Sequence, residues 1–138
     1  MALMMLGTKL GMTRVYTDGG VNVPVTAIAL GPNVVTQIRT VEKDGYSAVQ
    51  VAYGDVKARR STQPVIAHDH KAGTSPKRHH REFRCTAEEA AKFSVGQVLT
   101  VKDFAGLLFV DATARSKGKG FQGTIKRHHF KGMFASHG

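Results

Sequence analysis

Residues 21–30 read Val-Asn-Val-Pro-Val-Thr-Ala-Ile-Ala-Leu. Successive side chains on a strand point to opposite faces, so Val21, Val23, Val25, Ala27 and Ala29 share one face of a half-buried strand. Pro24 lacks an N–H, which places this run at a sheet edge or a bulge. Val34 to Ile38 and Ala48 to Tyr53 are further runs rich in β-branched residues, separated by the turn chemistry of Lys43-Asp44-Gly45. Val98 to Val101 and Leu107 to Val110 repeat the pattern. Short strands with Gly-rich turns predict a mainly β chain, an antiparallel barrel or sandwich. One short helix is expected: Thr86 and Glu89 have capping-box spacing, and Ala87 to Phe93 favour helix until Gly96.

The chain has 138 residues and a mass of 14.9 kDa, the size of one domain with an ordinary core. Twenty Lys and Arg face ten Asp and Glu, for a net charge of +10 and a pI of about 10.1. Such an imbalance repels itself and points to a polyanionic partner. Apolar residues at 41% argue against a disordered polycation. No run approaches the ~18 apolar residues of a membrane span. Met1 to Leu6 is apolar, yet it lacks a basic flank and is too short for a signal peptide. Cys85 is the sole cysteine, so no internal disulfide is possible and a soluble protein of a reducing, intracellular compartment is expected.

The charge is not spread evenly. Residues 1–55 are balanced, and residues 85–111 carry more acids than bases. Residues 54–84 are strongly basic and contain two Pro, two Gly and four His. Residues 112–138 hold Arg115, Lys117, Lys119, Lys126, Arg127 and Lys131 against no acid, with five Gly. Neither basic stretch has a sustained apolar period, so both read as long loops, functional or ordered by a partner. Solvated loops are the plain alternative.

Gly118-Lys119-Gly120-Phe121-Gln122-Gly123 matches G-x-G-x-x-G literally. A dinucleotide site also needs an acid about twenty residues downstream, and no Asp or Glu follows Asp111. A Walker loop fails because Lys119 precedes Gly120 rather than Ser or Thr. What remains is a glycine-loosened backbone whose N–H groups, with Ser116, Lys117 and Lys119, can approach phosphate. Phe121, His128, His129 and Phe130 offer flat faces for an unstacked base or ribose. Taken singly, Phe121 and Phe130 read more readily as core residues. The histidines, at 68, 70, 79, 80, 128, 129 and 137, show no standard zinc spacing, so no metal is expected. Nor is catalysis: there is no nucleophile elbow, and Cys85 reads as a small buried thiol, although Arg84 beside it could lower its pKa. No cofactor or small-molecule substrate is indicated.

The order of motifs resembles a known family. Leu6-Gly7-Thr8-Lys9-Leu10-Gly11-Met12-Thr13 is similar to the opening of the uL-three family of large-subunit ribosomal proteins, in its bacterial or organellar form. Residues 45–54 resemble its central strand. Lys71-Ala72-Gly73, Pro76-Lys77-Arg78, Arg81-Glu82-Phe83 and Val95-Gly96-Gln97-Val98 follow in the family's order, and residues 116–128 close the series. Two departures stand out. The family's chains continue past Ser136-His137-Gly138 to return from a loop tip and complete a barrel, so this chain reads as C-terminally truncated. The stretch 111–115 also lacks the glycine expected just before Ser116.

The resemblance implies a Greek-key β-barrel body over residues 1–111 with a basic loop at 54–84. Residues 112–138 would begin an extended loop that penetrates rRNA towards the peptidyl transferase centre. It implies a structural, non-enzymatic constituent of the large subunit, cytoplasmic or organellar, acting early in assembly beside neighbouring ribosomal proteins, with no membrane contact. The expected rRNA contacts begin with Lys9, Arg59, Arg60, Lys71, Lys77, Arg78, His79, His80 and Arg81. They continue with Arg115, Ser116, Lys117, Gly118, Lys119, Gly120, Phe121 and Gln122, then Lys126, Arg127, His128, His129, Lys131 and His137. A generic basic RNA chaperone without ribosome specificity is the alternative.

Overall fold

The computed structural model describes residues 3–132 and 134. They fall into two units, Met1–Gly106 and Leu107–Gly138. In the first, strands β1 (Thr8–Tyr16) and β2 (Asn22–Ala29) form an antiparallel hairpin of their own. Then follow β3 (Asn33–Arg39), the single turn α1 (Val41–Asp44), β4 (Ala48–Asp55), a 3-10 turn (Ala58–Arg60) and helix α2 (Gln63–Lys71). Strand β5 (Lys77–Arg84), α3 (Ala87–Ala90), β6 (Val98–Leu99) and a second 3-10 turn (Val101–Phe104) complete the unit. The second sheet is antiparallel throughout, in the order β5-β4-β3-β6.

The mainly β expectation holds, and Val25, Ala27 and Ala29 are the half-buried side of β2, whereas Val21 and Val23, expected on the same half-buried face, are exposed. Pro24 sits opposite Arg14 in a two-stranded sheet, where its missing N–H can face an open edge. The capping box of Thr86 and Glu89 starts α3. No closed barrel forms among the described residues. Val98–Val101 is strand only at Val98–Leu99 before the chain tightens into a 3-10 turn. Leu107–Val110 forms no strand: its side chains are exposed and nothing pairs its backbone into a sheet.

The four-stranded sheet has two unlike faces. Paired residues share a face, so Val35, Val51 and Val49 line up with Phe83 and Leu99 on one side. Ala90 and Phe93 pack there, with Leu3 to Leu6 partly buried against the same cluster. Fully buried Asn33 ties that N-terminal segment down as a strand neighbour would. Its Oδ1 accepts from the Leu6 N–H at 2.9 Å, and its Nδ2 donates to the Leu6 carbonyl at 3.0 Å. Gly7 allows the close approach, since a Cβ there would meet the Ala29 carbonyl oxygen at 2.9 Å.

The opposite face combines buried Val34, Ala48 and Ala52 with a polar network. The stretch 54–84, expected to be a basic loop, is instead the end of β4, a 3-10 turn, helix α2 and strand β5. The single expected helix is likewise joined by α2, nine residues long. Helix α2 carries no apolar period because it docks through hydrogen bonds. His68 Nε2 meets Gln50 Oε1 at 2.7 Å, and an amide oxygen can only accept, so the imidazole donates. Thr36 Oγ1 donates to the same oxygen, while Gln50 Nε2 donates to Glu82 Oε1 at 3.0 Å. Asp69, fully buried, accepts from the Lys77 N–H at 2.8 Å and from His80 Nε2 at 2.7 Å. Among the described residues no buried side-chain nitrogen or oxygen lacks a partner. That completeness makes a polar layer tenable in a small domain.

Glu82 is the hub of this layer's solvent side. The Tyr46 hydroxyl donates to it at 2.7 Å, with Gln50 and Arg39 as further donors, and these hold its carboxyl below the ordinary 4.5 against the opposing effect of burial. The same bond pushes the Tyr46 phenol above its usual 10.0. A depressed carboxylate contributes stability above its unfolded pKa and loses it as pH falls through the folded value. A raised phenol contributes below its unfolded pKa and loses it as pH rises through the folded one. The urea midpoint is therefore expected to fall on acidification below about pH 4.5 and again above about pH 10. In a Glu82→Gln variant the acid limb should shrink. An unchanged acid limb would show that this carboxylate is not the coupled group.

Candidate nucleic-acid interface

The expected contact residues lie in three places. Lys9 is on β1, exposed. Simple alternation would put Lys9 and Arg14 on opposite faces of that strand. A bulge between Lys9 and Gly11 changes this: Lys9 pairs with Ile28 and Arg14 with Pro24, residues four apart and so on one face. Arg14, absent from the expected contacts, thus joins Lys9 on the open face of the hairpin. A bulge is set by pairing and leaves no composition signal.

The second place is the 3-10 turn, the end of α2 and β5. Arg59, Arg60, Lys71, Arg78, His79 and Arg81 are exposed. Arg60 and Arg78 border a recess of ≈ 440 Å³ at the start of α2. Two expected contacts are used inside the fold instead. Lys77 is 9% exposed and its Nζ bonds Asp55 Oδ1 at 2.7 Å. His80 is half-buried with its Nε2 committed to Asp69. Both side chains therefore already have partners within the fold. His68, Asp69 and His80 bring their ligand atoms within 4.8 Å of one another, but their hydrogen bonds account for the arrangement.

The second unit holds the third place. Residues 107–123 form no helix or strand, and α4 (Thr124–His128) is a single exposed turn and a half. Ser116, Lys117, Lys119, Gly120, Phe121, Gln122, Lys126, Arg127 and His129 line one open concavity of ≈ 1090 Å³. Gly120, at φ +68°, supplies the left-handed turn that brings Lys119 and Phe121 round it. Gln122 Nε2 donates to the Lys119 carbonyl at 3.5 Å and closes the turn. His129 takes a left-handed φ of 57°, the single non-glycine among the described residues to do so. It leaves His128 and Phe130 stacked at 5.5 Å between ring centroids. Phe121 and Phe130, which taken singly read as core residues, are exposed. Gly118, Arg115 and Lys131 are exposed in the same unit, and His137 lies outside the described residues. The concavity can hold a chain of phosphates. It offers no acid to polarise a nucleophile, and Cys85, in the first unit, is pushed to a higher pKa by burial and by Glu89, away from a reactive thiolate.

The comparisons bear on this geometry. No family model matches the chain. A protein of Corynebacterium diphtheriae named large ribosomal subunit protein uL3 is 48% identical over 133 residues, which is 96% of this chain and 60% of that one. Its namesake in Streptomyces coelicolor is 49% identical over 133 residues, with 96% and 61% covered. That of Clavibacter michiganensis is 48% identical over 134 residues, 97% and 61%. The chain is similar to these uL3 proteins along nearly its whole length. The chain spans about three-fifths of the length of the curated relatives it matches. The resemblance read from the motifs is thereby supported along 96–97% of this chain.

Proposed function

We propose that this chain is a structural, non-catalytic rRNA-binding part of the large ribosomal subunit, acting in early assembly. Residues 112–138 are its rRNA-penetrating segment, directed towards the peptidyl transferase centre. One observation carries the reading: Lys117, Lys119, Lys126 and Arg127 converge on one concavity in a segment free of acid. Lys9, Arg14, Arg59, Arg60, Arg78 and Arg81 extend the contact over the body. Lys and Arg neutralise phosphates and release counterions, while glycine-rich backbone fits between RNA helices. Its place would be the ribosome, beside other large-subunit proteins. No helix among the described residues is long and apolar enough to cross a membrane.

Binding to a large-subunit rRNA fragment should weaken with salt, about six cations of residues 112–138 contributing on the order of −4 to −5 to the log–log slope. Replacing Lys117, Lys119, Lys126 and Arg127 together by Ala should flatten it by about three. A slope that stays put removes these residues from the interface. Competition by arbitrary RNA at physiological salt tests ribosome specificity: equal competition would favour the generic chaperone.

A further inference from the structure

The most exposed large apolar side chain described is not where a phosphate needs it. Phe121 is 105% exposed, more open than in a reference peptide. It stands in the wall of the cationic concavity, after Gly120 at φ +68° and before half-buried Gln122. A phenyl ring cannot bind phosphate, and duplex RNA hides its base faces inside the stack. An unpaired base offers a π-face of matching size.

We propose that Phe121 is a stacking platform for an unpaired nucleobase, so that the concavity selects irregular or single-stranded RNA over duplex. The inference rests on the RNA-binding reading above and names the class of RNA that its site takes. Lysines and Arg127 hold the backbone on either side, and Phe121 supplies the contact a continuous helix cannot satisfy. The stacked His128–Phe130 pair is a second flat surface in the same unit, ready for a neighbouring base. Sequence preference should be weak, because every base has a π-face.

The chain has no tryptophan, so Phe121→Trp in the full chain places a single indole reporter at the site. Two probes of equal length serve: a single-stranded oligoribonucleotide and a fully paired RNA duplex. Indole emission should be quenched on titration with the single strand and stay nearly constant with the duplex. By fluorescence anisotropy, Phe121→Ala should weaken single-strand binding on the order of tenfold and duplex binding less than twofold. Phe121→Leu, which keeps apolar bulk without a flat ring, should behave like the Ala variant. Equal losses on both probes, or no loss on either, overturn the inference. So does indole quenching by anionic lipid vesicles but not by RNA, which would make Phe121 a membrane contact. If the salt slope responds to the four-cation variant while Phe121→Ala changes nothing, only the stacking fails. If the slope does not respond, the RNA-binding reading fails with it.

Discussion

Replacing Asp69 by Ala is expected to cost about 3–5 kcal/mol of folding stability, read as a drop in the urea midpoint at unchanged slope. The carboxylate is fully buried and accepts two hydrogen bonds, from the Lys77 N–H and from His80 Nε2. Truncation leaves a buried backbone donor and an imidazole donor without acceptors in a layer otherwise complete. A domain of this size holds only about 5–15 kcal/mol in total, so the loss would be a large share. Asp69→Asn keeps a carbonyl oxygen for the Lys77 N–H and should cost about 1–2 kcal/mol. Because Asp69 joins α2 to β5, amide exchange should quicken across Gln63–Lys71 before the apolar cluster opens. A cost below about 1 kcal/mol for the Ala variant would mean that the pair does not hold the helix down.

Phe83→Ala is the second large loss, about 3–5 kcal/mol. Phe83 is 8% exposed, sits opposite Val49 on the apolar face, and meets Phe93 edge-on at 5.8 Å with the rings at 81°. That geometry adds about 0.5–1.5 kcal/mol beyond area burial, so a cycle of Phe83→Leu and Phe93→Leu should reveal a coupling of that order. Phe83 also bridges the sheet to the cluster that includes Ala90, Phe93 and the Leu3–Leu6 segment. Its truncation should therefore raise protease sensitivity at the N-terminal segment as well as lower the midpoint. Stability unchanged within about 0.5 kcal/mol would remove this cluster from the core.

These two residues mark how far sequence reading reaches. Phe83 lies on β5, within the stretch read as a basic loop, and only its pairing with Val49 on the legible strand β4 places it on the apolar face. The strands β2, β3 and β4, the Thr86–Glu89 cap and the acid-free segment 112–138 were all readable for one reason. Local periodicity, cap chemistry and composition are properties of neighbours in the chain. The glycine-lysine block was legible as an unneutralised cationic stretch because no acid lies near it in the chain.

Asp69 could not be read that way. Gln63–Lys71 has no apolar stripe, and its stabilising partners, Gln50 on β4 and His80 on β5, are distant in sequence. Until the sheet brings them together, the stretch looks like a basic loop. Tertiary structure alone decided that Lys77 and His80 are consumed inside the fold, since pairing depends on where Asp55 and Asp69 arrive. It likewise set Lys9 and Arg14 on one face through a bulge, and left Phe121 open to solvent rather than in a core. The sequence by itself thus determined where β2, β3 and β4 run and where the charge lies, because both are local. Which polar side chains are spent on the fold and which remain for a partner was decided by long-range packing, where burial and distance set the free energy of each charge.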